Sequence, residues 1–304
     1  MTMMQWTRGA TVGKGGFGFV SVAKTHQPES SGNRNIPTVI AVKSAKYSES
    51  DSLLKEKEFL DKFKGCPSIL GCFGDDITTE NGVKLYNILM EYASGGCLAD
   101  HIVPKKGMAE IIVRRCTKSI LMALVHIHRL GYIYCDVKPH NVLLNARGDA
   151  MLADFGSCLS VDDSKSSDFR GTVLYSAPES IARQKFVPES DIWALGCSVL
   201  HMLTGKSPWV FDKNTDVKDA LFRIGCSSDI PEIPTSNKIS KEARDFLKKC
   251  LVKDPTARWK ADMLIDHPFV KSRRQHHVSS SRSSHLGIHS IVPHCFHIPK
   301  VQAC

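Results

Sequence analysis

Residues 134–141 read Tyr-Cys-Asp-Val-Lys-Pro-His-Asn, and this is the most informative stretch of the chain. It contains the pattern D-x-K-x-x-N, which begins at Asp136 and ends at Asn141. The triplet Asp-Phe-Gly follows at 154–156, and Ala-Pro-Glu follows at 177–179. Ordered motifs at these spacings are very unlikely to coincide by chance. We therefore interpret them as parts of one site and place the rest of the chain around them.

A glycine-rich stretch lies near the amino end. Residues 13–20 read Gly-Lys-Gly-Gly-Phe-Gly-Phe-Val, a G-x-G-x-x-G-x-V pattern. Alone, this pattern could also open a dinucleotide-binding unit or form only a glycine-rich hairpin. A dinucleotide-binding fold requires a helix directly after the third glycine, whereas a strand is predicted here. The pattern therefore favours a hairpin whose backbone amides cover phosphate oxygens.

A lysine follows this stretch at the end of an apolar strand. Lys43 closes the run Ala41-Val42-Lys43, and the helix predicted after it carries two acidic candidates, Glu56 and Glu58. A carboxylate on this helix could hold the lysine against the phosphates. We prefer Glu56, because that register keeps Phe59 and Leu60 on the inward face of the helix. The ordinary alternative is a solvated lysine.

Hydrophobic periodicity divides the chain into two parts. Strand patterns run to Val12, around 19–23, over 38–42 and over 84–90, with one helix over 50–63 between them. After the glycines at 95–96, helical spacing dominates and predicts helices over 108–130, 191–203, 216–224 and 241–251. The sequence thus predicts an α+β fold with a small strand-rich lobe and a larger helical lobe.

Composition limits the class of protein. The chain has 304 residues, 42% of them hydrophobic, which is enough for a substantial core. Its formal net charge is +9, but five basic residues fall in the last 34, a stretch without acids. The eleven cysteines are an odd number without a C-x-x-C pair, which argues against disulfides and zinc. We expect an intracellular protein, cytoplasmic, nuclear or both, without a membrane span.

The motifs together resemble those of eukaryotic protein kinases over about residues 6–270. The resemblance implies a two-lobed fold, with a small antiparallel β lobe with one main helix at 1–93 and a larger, mostly helical lobe at 94–270. The remaining residues, 271–304, are predicted to form a flexible basic tail, because they are rich in Ser, His and Arg. The implied cofactors are ATP and Mg²⁺, with ATP bound between the lobes.

The resemblance also implies a role for each motif residue. Asp136 would accept the proton of the substrate hydroxyl, and Lys138 would neutralise charge on the γ-phosphoryl group. Asn141 and Asp154 would hold the magnesium ions. The residues assigned to catalysis are Asp136, Lys138, Lys43, Glu56 and Thr172. The residues assigned to ATP binding are Val12, Gly13, Lys14, Gly15, Gly16, Phe17, Gly18, Val20, Ala41, Lys43, Glu91, Ala93 and Leu143.

The resemblance extends to a substrate class. Lys138, together with Thr172 in the stretch that precedes Ala-Pro-Glu, is typical of serine/threonine kinases. The sequence of residues 90–96, Met-Glu-Tyr-Ala-Ser-Gly-Gly, most resembles the corresponding stretch of plant mitogen-activated protein (MAP) kinase kinase kinases of the MEKK type. If this holds, the protein substrate is a MAP kinase kinase.

Two positions depart from the family pattern. Cys135 stands where most relatives carry the arginine that binds an activation-segment phosphate, so the segment 157–170 is expected to order without phosphorylation. Ser160, Ser164, Ser166 and Ser167 are the candidate phosphorylation sites. Cys97 replaces a common acid near the nucleotide and offers either a handle for covalent inhibitors or an ordinary core cysteine.

Other functions remain open at the level of sequence. A pseudokinase scaffold would share the fold, but Lys43, Glu56, Asp136, Asn141 and Asp154 are all present. A serine/threonine kinase outside the MAP kinase cascade would carry the same motifs. Nucleic-acid binding by the basic tail is not expected, because the tail lacks interleaved aromatic residues and a folded platform.

Overall fold

The computed structural model describes residues 5–15, 18–26, 36–163, 169–212, 214–235, 238–271 and the short strand at 296–297. Gly16, Phe17, three of the four candidate serines and nearly all of the predicted tail lie outside these ranges. Within the described part, a strand-rich half precedes a mostly helical half. The predicted α+β, two-lobed fold is confirmed.

An antiparallel sheet forms most of the first half. Its strands are β1 (Gln5–Gly15), β2 (Gly18–His26), β3 (Val39–Lys46), β4 (Cys72–Glu80) and β5 (Val83–Glu91). They lie in the order β1-β2-β3-β5-β4, and all neighbours are antiparallel. The segment Phe296–His297 pairs in parallel with β1 at the sheet edge.

The side chains of strand β3 lie alternately on the two faces of this sheet. Side chains alternate along a strand, so Ile40 and Val42 share one face while Ala41 and Lys43 share the other. Ile40 and Val42 are fully buried in a small cluster with Leu89 of β5. Ala41 and Lys43 instead line a cavity between the two halves of the chain. The strand register thus directs the lysine into the cleft.

A glycine is required where β2 begins. Gly18 has a φ of +143°, and a Cβ on it would lie 2.0 Å from the carbonyl oxygen of Ser44 on β3. Any larger residue would push β2 away from β3, because that oxygen belongs to the backbone. The last glycine of the G-x-G-x-x-G pattern therefore sets the spacing between these two strands.

The helical half is built around one buried helix. Helix α1 (Asp51–Lys62) belongs to the first half. The helices of the helical half are α2 (Glu110–Arg129), α3 (Pro178–Arg183), α4 (Pro188–Thr204), α5 (Val217–Gly225), α6 (Lys241–Cys250) and α7 (Ala261–Leu264). Trp193 and Leu195 of α4 are fully buried, and α2 and α6 pack on this helix. Helix α4 is therefore the support on which the functional loops lie.

Two small sheets connect the helices to the cleft. The strands β6 (Gly96–Cys97), β8 (Val142–Leu144) and β9 (Ala150–Leu152) form one, and β7 (Tyr132–Ile133) with β10 (Leu159–Ser160) forms the other. The catalytic-loop sequence 134–141 runs from β7 to β8. The Asp-Phe-Gly triplet lies between β9 and β10. These pairings bring the two motifs together at one edge of the helical half.

Among the helices of the described residues, none is both long and apolar enough to span a bilayer.

Candidate active site

Lys43 bridges two carboxylates in the cleft. Its Nζ atom lies 2.5 Å from Glu56 Oε2 and 3.2 Å from Asp154 Oδ1. The Lys43 and Glu56 side chains are 15% and 5% exposed, so this contact forms in a largely water-free environment. Strand β3, helix α1 and the Asp-Phe-Gly segment thus meet at one ammonium group.

The helical register decides between the two acidic candidates. Glu56 shares the buried face of α1 with Leu53 and Leu60, at spacings of three and four residues. Glu58 lies on the outer face, is 63% exposed and pairs with Lys62 at 2.7 Å. Glu56 is therefore the residue that contacts Lys43, as the sequence favoured.

Electrostatics keep the lysine of this bridge charged. Burial acts to lower the pKa of Lys43, but the charges of Asp154 and Glu56 outweigh it and raise the pKa. The positive charge of Lys43 in turn lowers the pKa of Asp154. A cationic lysine and an ionised aspartate, side by side, form a site suited to phosphate oxygens and a divalent metal ion.

A second network surrounds Asp136. Lys138 Nζ lies 2.7 Å from Asp136 Oδ2 and 2.6 Å from Thr172 Oγ1, while the Thr172 hydroxyl donates to Asp136 Oδ1 at 2.8 Å. The amide nitrogen of Asn141 donates to Asp136 Oδ2 at 2.9 Å. Both carboxylate oxygens are thereby oriented, and the pattern D-x-K-x-x-N supplies two of the three partners.

Burial raises the pKa of the Asp136 carboxyl group above its ordinary value, and the charge of Lys138 opposes that rise. A carboxylate that remains ionised in a nearly buried position, with a raised affinity for protons, has the property that a general base needs.

Side chains of helix α4 form hydrogen bonds with the backbone of the catalytic loop. Asp191 accepts hydrogen bonds from the backbone amides of Tyr134 at 2.9 Å and Cys135 at 2.8 Å. Cys135 has a φ of +70°, an unusual conformation for a residue other than glycine. Ser198, two turns along the same helix, donates to the carbonyl of Val137 at 3.2 Å. These bonds fix the loop backbone on both sides of Asp136.

The segment that contains Thr172 packs tightly on this loop. Gly171 has a φ of +97°, and a Cβ there would lie 2.4 Å from the carbonyl oxygen of Cys135. Only glycine therefore allows the segment to approach closely enough for Thr172 to reach Asp136.

A cavity opens beside these networks. Of the residues that the sequence assigned to ATP, five line it: Val20, Ala41, Lys43, Glu91 and Leu143. Asn141, Asp154 and Glu56 also line it. Six other assigned residues are not among its lining residues: Val12, Gly13, Lys14, Gly15, Gly18 and Ala93. Gly16 and Phe17 lie outside the described residues. The sequence did not assign Leu70, His140 and Ala153 to the nucleotide, although all three line the cavity. Cys97, which the sequence placed near the nucleotide, lines it as well.

Asp154 and Asn141 suit a divalent ion of the magnesium type, which prefers hard oxygen ligands. Because the Asn141 amide nitrogen donates to Asp136, its side-chain oxygen is left for a cation. Among the residues that the structure describes, no group of three His, Cys, Asp or Glu could hold a metal by itself. Magnesium commonly takes one or two protein ligands and completes its shell with phosphate oxygens and water.

Cys97 behaves as a core cysteine. Its thiol lies 3.5 Å from the carbonyl oxygen of His140, and burial raises its pKa to about 11 from the ordinary 9.0. The thiolate form is the nucleophile. The structure therefore favours packing over the role of a handle for covalent inhibitors.

We predict that Cys97 reacts with iodoacetamide about 100-fold more slowly at pH 7.5 than an unshifted thiol, because a pKa difference of about two units lowers the thiolate fraction by that factor. Peptide mass spectrometry over time measures the labelling, and the exposed Cys226 serves as the internal control. Labelling of Cys97 as fast as that of Cys226 would show that the thiol is accessible and ionised.

The Ala-Pro-Glu motif is anchored by a buried ion pair. Arg258 Nη1 lies 2.8 Å from Glu179 Oε1, and Arg258 Nη2 lies 3.1 Å from Glu179 Oε2. The Arg258 side chain is fully buried and also donates to three backbone carbonyls. This pair links the end of the Thr172 segment to the loop that precedes α7.

The fold and the two networks define a protein kinase. A family model described as the protein kinase domain matches residues 6–270, and the chain belongs to this family. Among curated proteins it is similar to mitogen-activated protein kinase kinase kinase 20 of Arabidopsis thaliana, with 42% identity over 274 residues, 88% of this chain and 78% of that protein. Mitogen-activated protein kinase kinase kinases 18 and 17 of the same plant are 39% and 38% identical, over 78% and 70% of their lengths.

The chain is therefore a serine/threonine protein kinase, as the sequence predicted. Proteins of this family use ATP and a divalent metal ion and act on protein substrates.

Proposed function

We propose that this chain is a MAP kinase kinase kinase, which transfers the γ-phosphoryl group of ATP to serine or threonine in a MAP kinase kinase. The relatives named above are MAP kinase kinase kinases, which supports this level of the cascade. Phosphoryl transfer is supported by two side-chain networks that lie beside one cavity. In the first, Lys43 contacts Glu56 and Asp154. In the second, Asp136 contacts Lys138 and Thr172.

Each residue has a separate task in the proposed reaction. Lys43, oriented by Glu56, would bind the α- and β-phosphates, while the amides of the glycine-rich hairpin cover them. Asp136 would orient the substrate hydroxyl and accept its proton, because Thr172 and Asn141 already direct its oxygens. Lys138 would neutralise charge on the transferred group. Catalysis then rests mainly on positioning and electrostatics.

We further propose that the divalent ion is Mg²⁺, with Asp154 and Asn141 as its protein ligands. When bound, magnesium neutralises the charge of the phosphates and helps to align them. Asp154 is well suited to this, because the Lys43 charge lowers its pKa and keeps it ionised. The same proposal places the protein inside the cell, in the cytoplasm, the nucleus or both, where its ATP and kinase substrate are found.

The preference for one protein acceptor over another tests whether the chain is a MAP kinase kinase kinase. The purified chain is incubated with Mg²⁺ and labelled ATP and with one of two acceptors: a MAP kinase kinase made inactive by substitution of its own ATP-binding lysine, or a generic basic protein. We expect faster labelling of the MAP kinase kinase, on serine or threonine. Equal or faster labelling of the basic protein would contradict the cascade assignment and place the enzyme among other serine/threonine kinases.

Two variants control this experiment. Asp136→Asn should remove labelling of both acceptors. Asp266→Asn makes the same chemical change on the surface, where the Asp266 side chain is 77% exposed, and should leave labelling unchanged.

A further inference from the structure

One arginine is held between the strands of the first half. Arg8 of β1 donates to both carboxylate oxygens of Glu80 on β4, at 2.8 Å each. It also donates to Ser44 Oγ on β3 at 3.0 Å and to Asn87 Oδ1 on β5 at 2.8 Å. The Arg8 side chain is 15% exposed, and Ser44 and Asn87 are fully buried. A single guanidinium group thus connects β1 to three other strands.

Aromatic rings and a charge complete the surroundings of Arg8. Its guanidinium carbon lies 5.2 Å from the ring centroid of Phe19 on β2 and 5.0 Å from that of Trp6 on β1. Both distances allow cation–π attraction. Hydrogen bonds from Arg8 lower the pKa of Glu80, so the opposing carboxylate remains ionised. Strands β1 to β5 therefore all contribute a contact to this side chain.

The contacts of Arg8 lie on the face of the sheet opposite the cavity. In the register of β2 and β3, Phe19 pairs with Ser44, and Val20 pairs with Lys43. Val20 and Lys43 line the cavity. Because successive side chains of a strand lie on opposite faces, Phe19 and Ser44 point away from it, and both contact Arg8. Arg8 thus acts one residue away from two residues of the cavity wall.

Ser44 also contacts the end of the glycine-rich hairpin. Its carbonyl oxygen lies so close to Gly18 that a Cβ there would be only 2.0 Å away. Phe19 follows Gly18 directly, and Arg8 contacts both Phe19 and Ser44. A displacement of Arg8 would therefore alter the distance between the hairpin and Lys43. These are the two parts of a kinase that hold the phosphates of ATP from the side of the small lobe.

We propose that Arg8 is a positioning residue for ATP, which acts through Ser44 and Phe19 to fix the glycine-rich hairpin relative to Lys43. Arg8 is not among the residues that line the cavity. Lysine cannot replace it, because a single ammonium group cannot reach acceptors on three strands as the planar guanidinium does. The inference rests on ATP binding in the cavity and holds for any protein acceptor.

Arg8→Lys tests the proposal, because it keeps the charge opposite Glu80 but loses the planar arrangement of donors. The Kd for ATP is measured by equilibrium dialysis of the full chain with Mg²⁺. We expect the Kd to rise by at least about fivefold and the KM for ATP to rise in parallel. The kcat at saturating ATP should change by less than about twofold, because Asp136 and its partners belong to the helical half.

Arg147→Lys is the matched control, since the Arg147 side chain is 84% exposed and lies in the turn between β8 and β9. It should leave the Kd, the KM and kcat unchanged. The free energy of unfolding of each variant is measured in urea. If Arg8→Lys lowers this free energy but leaves the Kd for ATP at the wild-type value, Arg8 is only a structural residue and the proposal is wrong.

Ser44→Ala covers the case in which Arg8→Lys does not fold. It removes the hydroxyl group that Arg8 and Asn87 share and keeps the pair of Arg8 with Glu80. The Kd for ATP should rise by at least about twofold, with kcat unchanged. An unchanged Kd in this variant would overturn the proposal.

The dialysis measurement also separates this inference from the proposed function. A wild type that binds ATP but transfers no phosphate would reject kinase activity alone, because the Kd can still be compared between variants. A wild type that binds no ATP would overturn the nucleotide site and the role of Arg8 together.

Discussion

Asp136→Asn is expected to reduce kcat by about 10²–10⁴-fold, the usual contribution of a positioned general base. Asparagine keeps the shape of the side chain but cannot take the proton of the substrate hydroxyl. The loss should fall on kcat rather than on ATP affinity, because Lys43, Glu56 and the cavity do not depend on this carboxylate. Steady-state kinetics at saturating peptide, with a separate measurement of ATP binding, provide the test.

Asp266→Asn is the matched control for kinetics, since Asp266 is on the surface and pairs only at 3.6 Å with Lys271. A kcat for Asp136→Asn within about threefold of the wild type would mean that a proton-accepting group contributes little here. A loss of ATP binding would mean that the substitution disturbs the fold of the cleft.

Glu179→Gln should reduce the free energy of unfolding by about 3–5 kcal/mol, because it leaves the guanidinium of Arg258 as an uncompensated buried charge. Arg258 is fully buried, and both of its terminal nitrogens bond to Glu179. Glutamine retains the volume and one acceptor oxygen, so the change tests charge more than packing. Urea denaturation followed by far-UV circular dichroism measures the loss.

The exposed pair of Lys46 and Glu49 supplies the control for stability. Both side chains are more than 60% exposed, and Glu49→Gln should change the free energy of unfolding by at most about 1 kcal/mol. If Glu179→Gln costs no more than Glu49→Gln, the buried pair does not hold the Ala-Pro-Glu segment. The double variant Glu179→Met with Arg258→Met should recover part of the loss, because it removes both charges.

The sequence predicted the parts of the site that depend on local spacing. The pattern D-x-K-x-x-N places Lys138 and Asn141 on Asp136, and the helical period places Glu56 on the buried face of α1. The helices predicted over 108–130 and 191–203 correspond to α2 and α4, with ends that differ by a few residues.

Features that depend on distant contacts could not be predicted in the same way. Strand β4 carries the run Asp-Asp-Ile-Thr-Thr at 75–79, which is polar except for Ile77, and three of the nine residues of the strand are exposed, so its pattern resembles a loop. Its pairing with β5 supplies the order that the local sequence lacks. The hydrogen bond from Ser198 to the carbonyl of Val137 likewise requires α4 to pass close to the catalytic loop, which no motif records.

Cys135 bears on regulation. Asp191 accepts a hydrogen bond from the amide of this residue, and Gly171 packs against its carbonyl group, so the catalytic loop and the Thr172 segment are held together here. We therefore predict an enzyme whose Thr172 segment reaches Asp136 without phosphorylation.

Phosphoryl transfer by the unphosphorylated chain is the decisive test of its kinase activity. The full chain is expressed in bacteria, treated with phosphatase, separated from it and then supplied with labelled ATP, Mg²⁺ and a protein acceptor, and the labelled amino acid is identified. We predict label on serine or threonine, at a rate that prior phosphorylation does not increase. A folded protein that binds ATP but transfers no label would contradict this account and favour a pseudokinase.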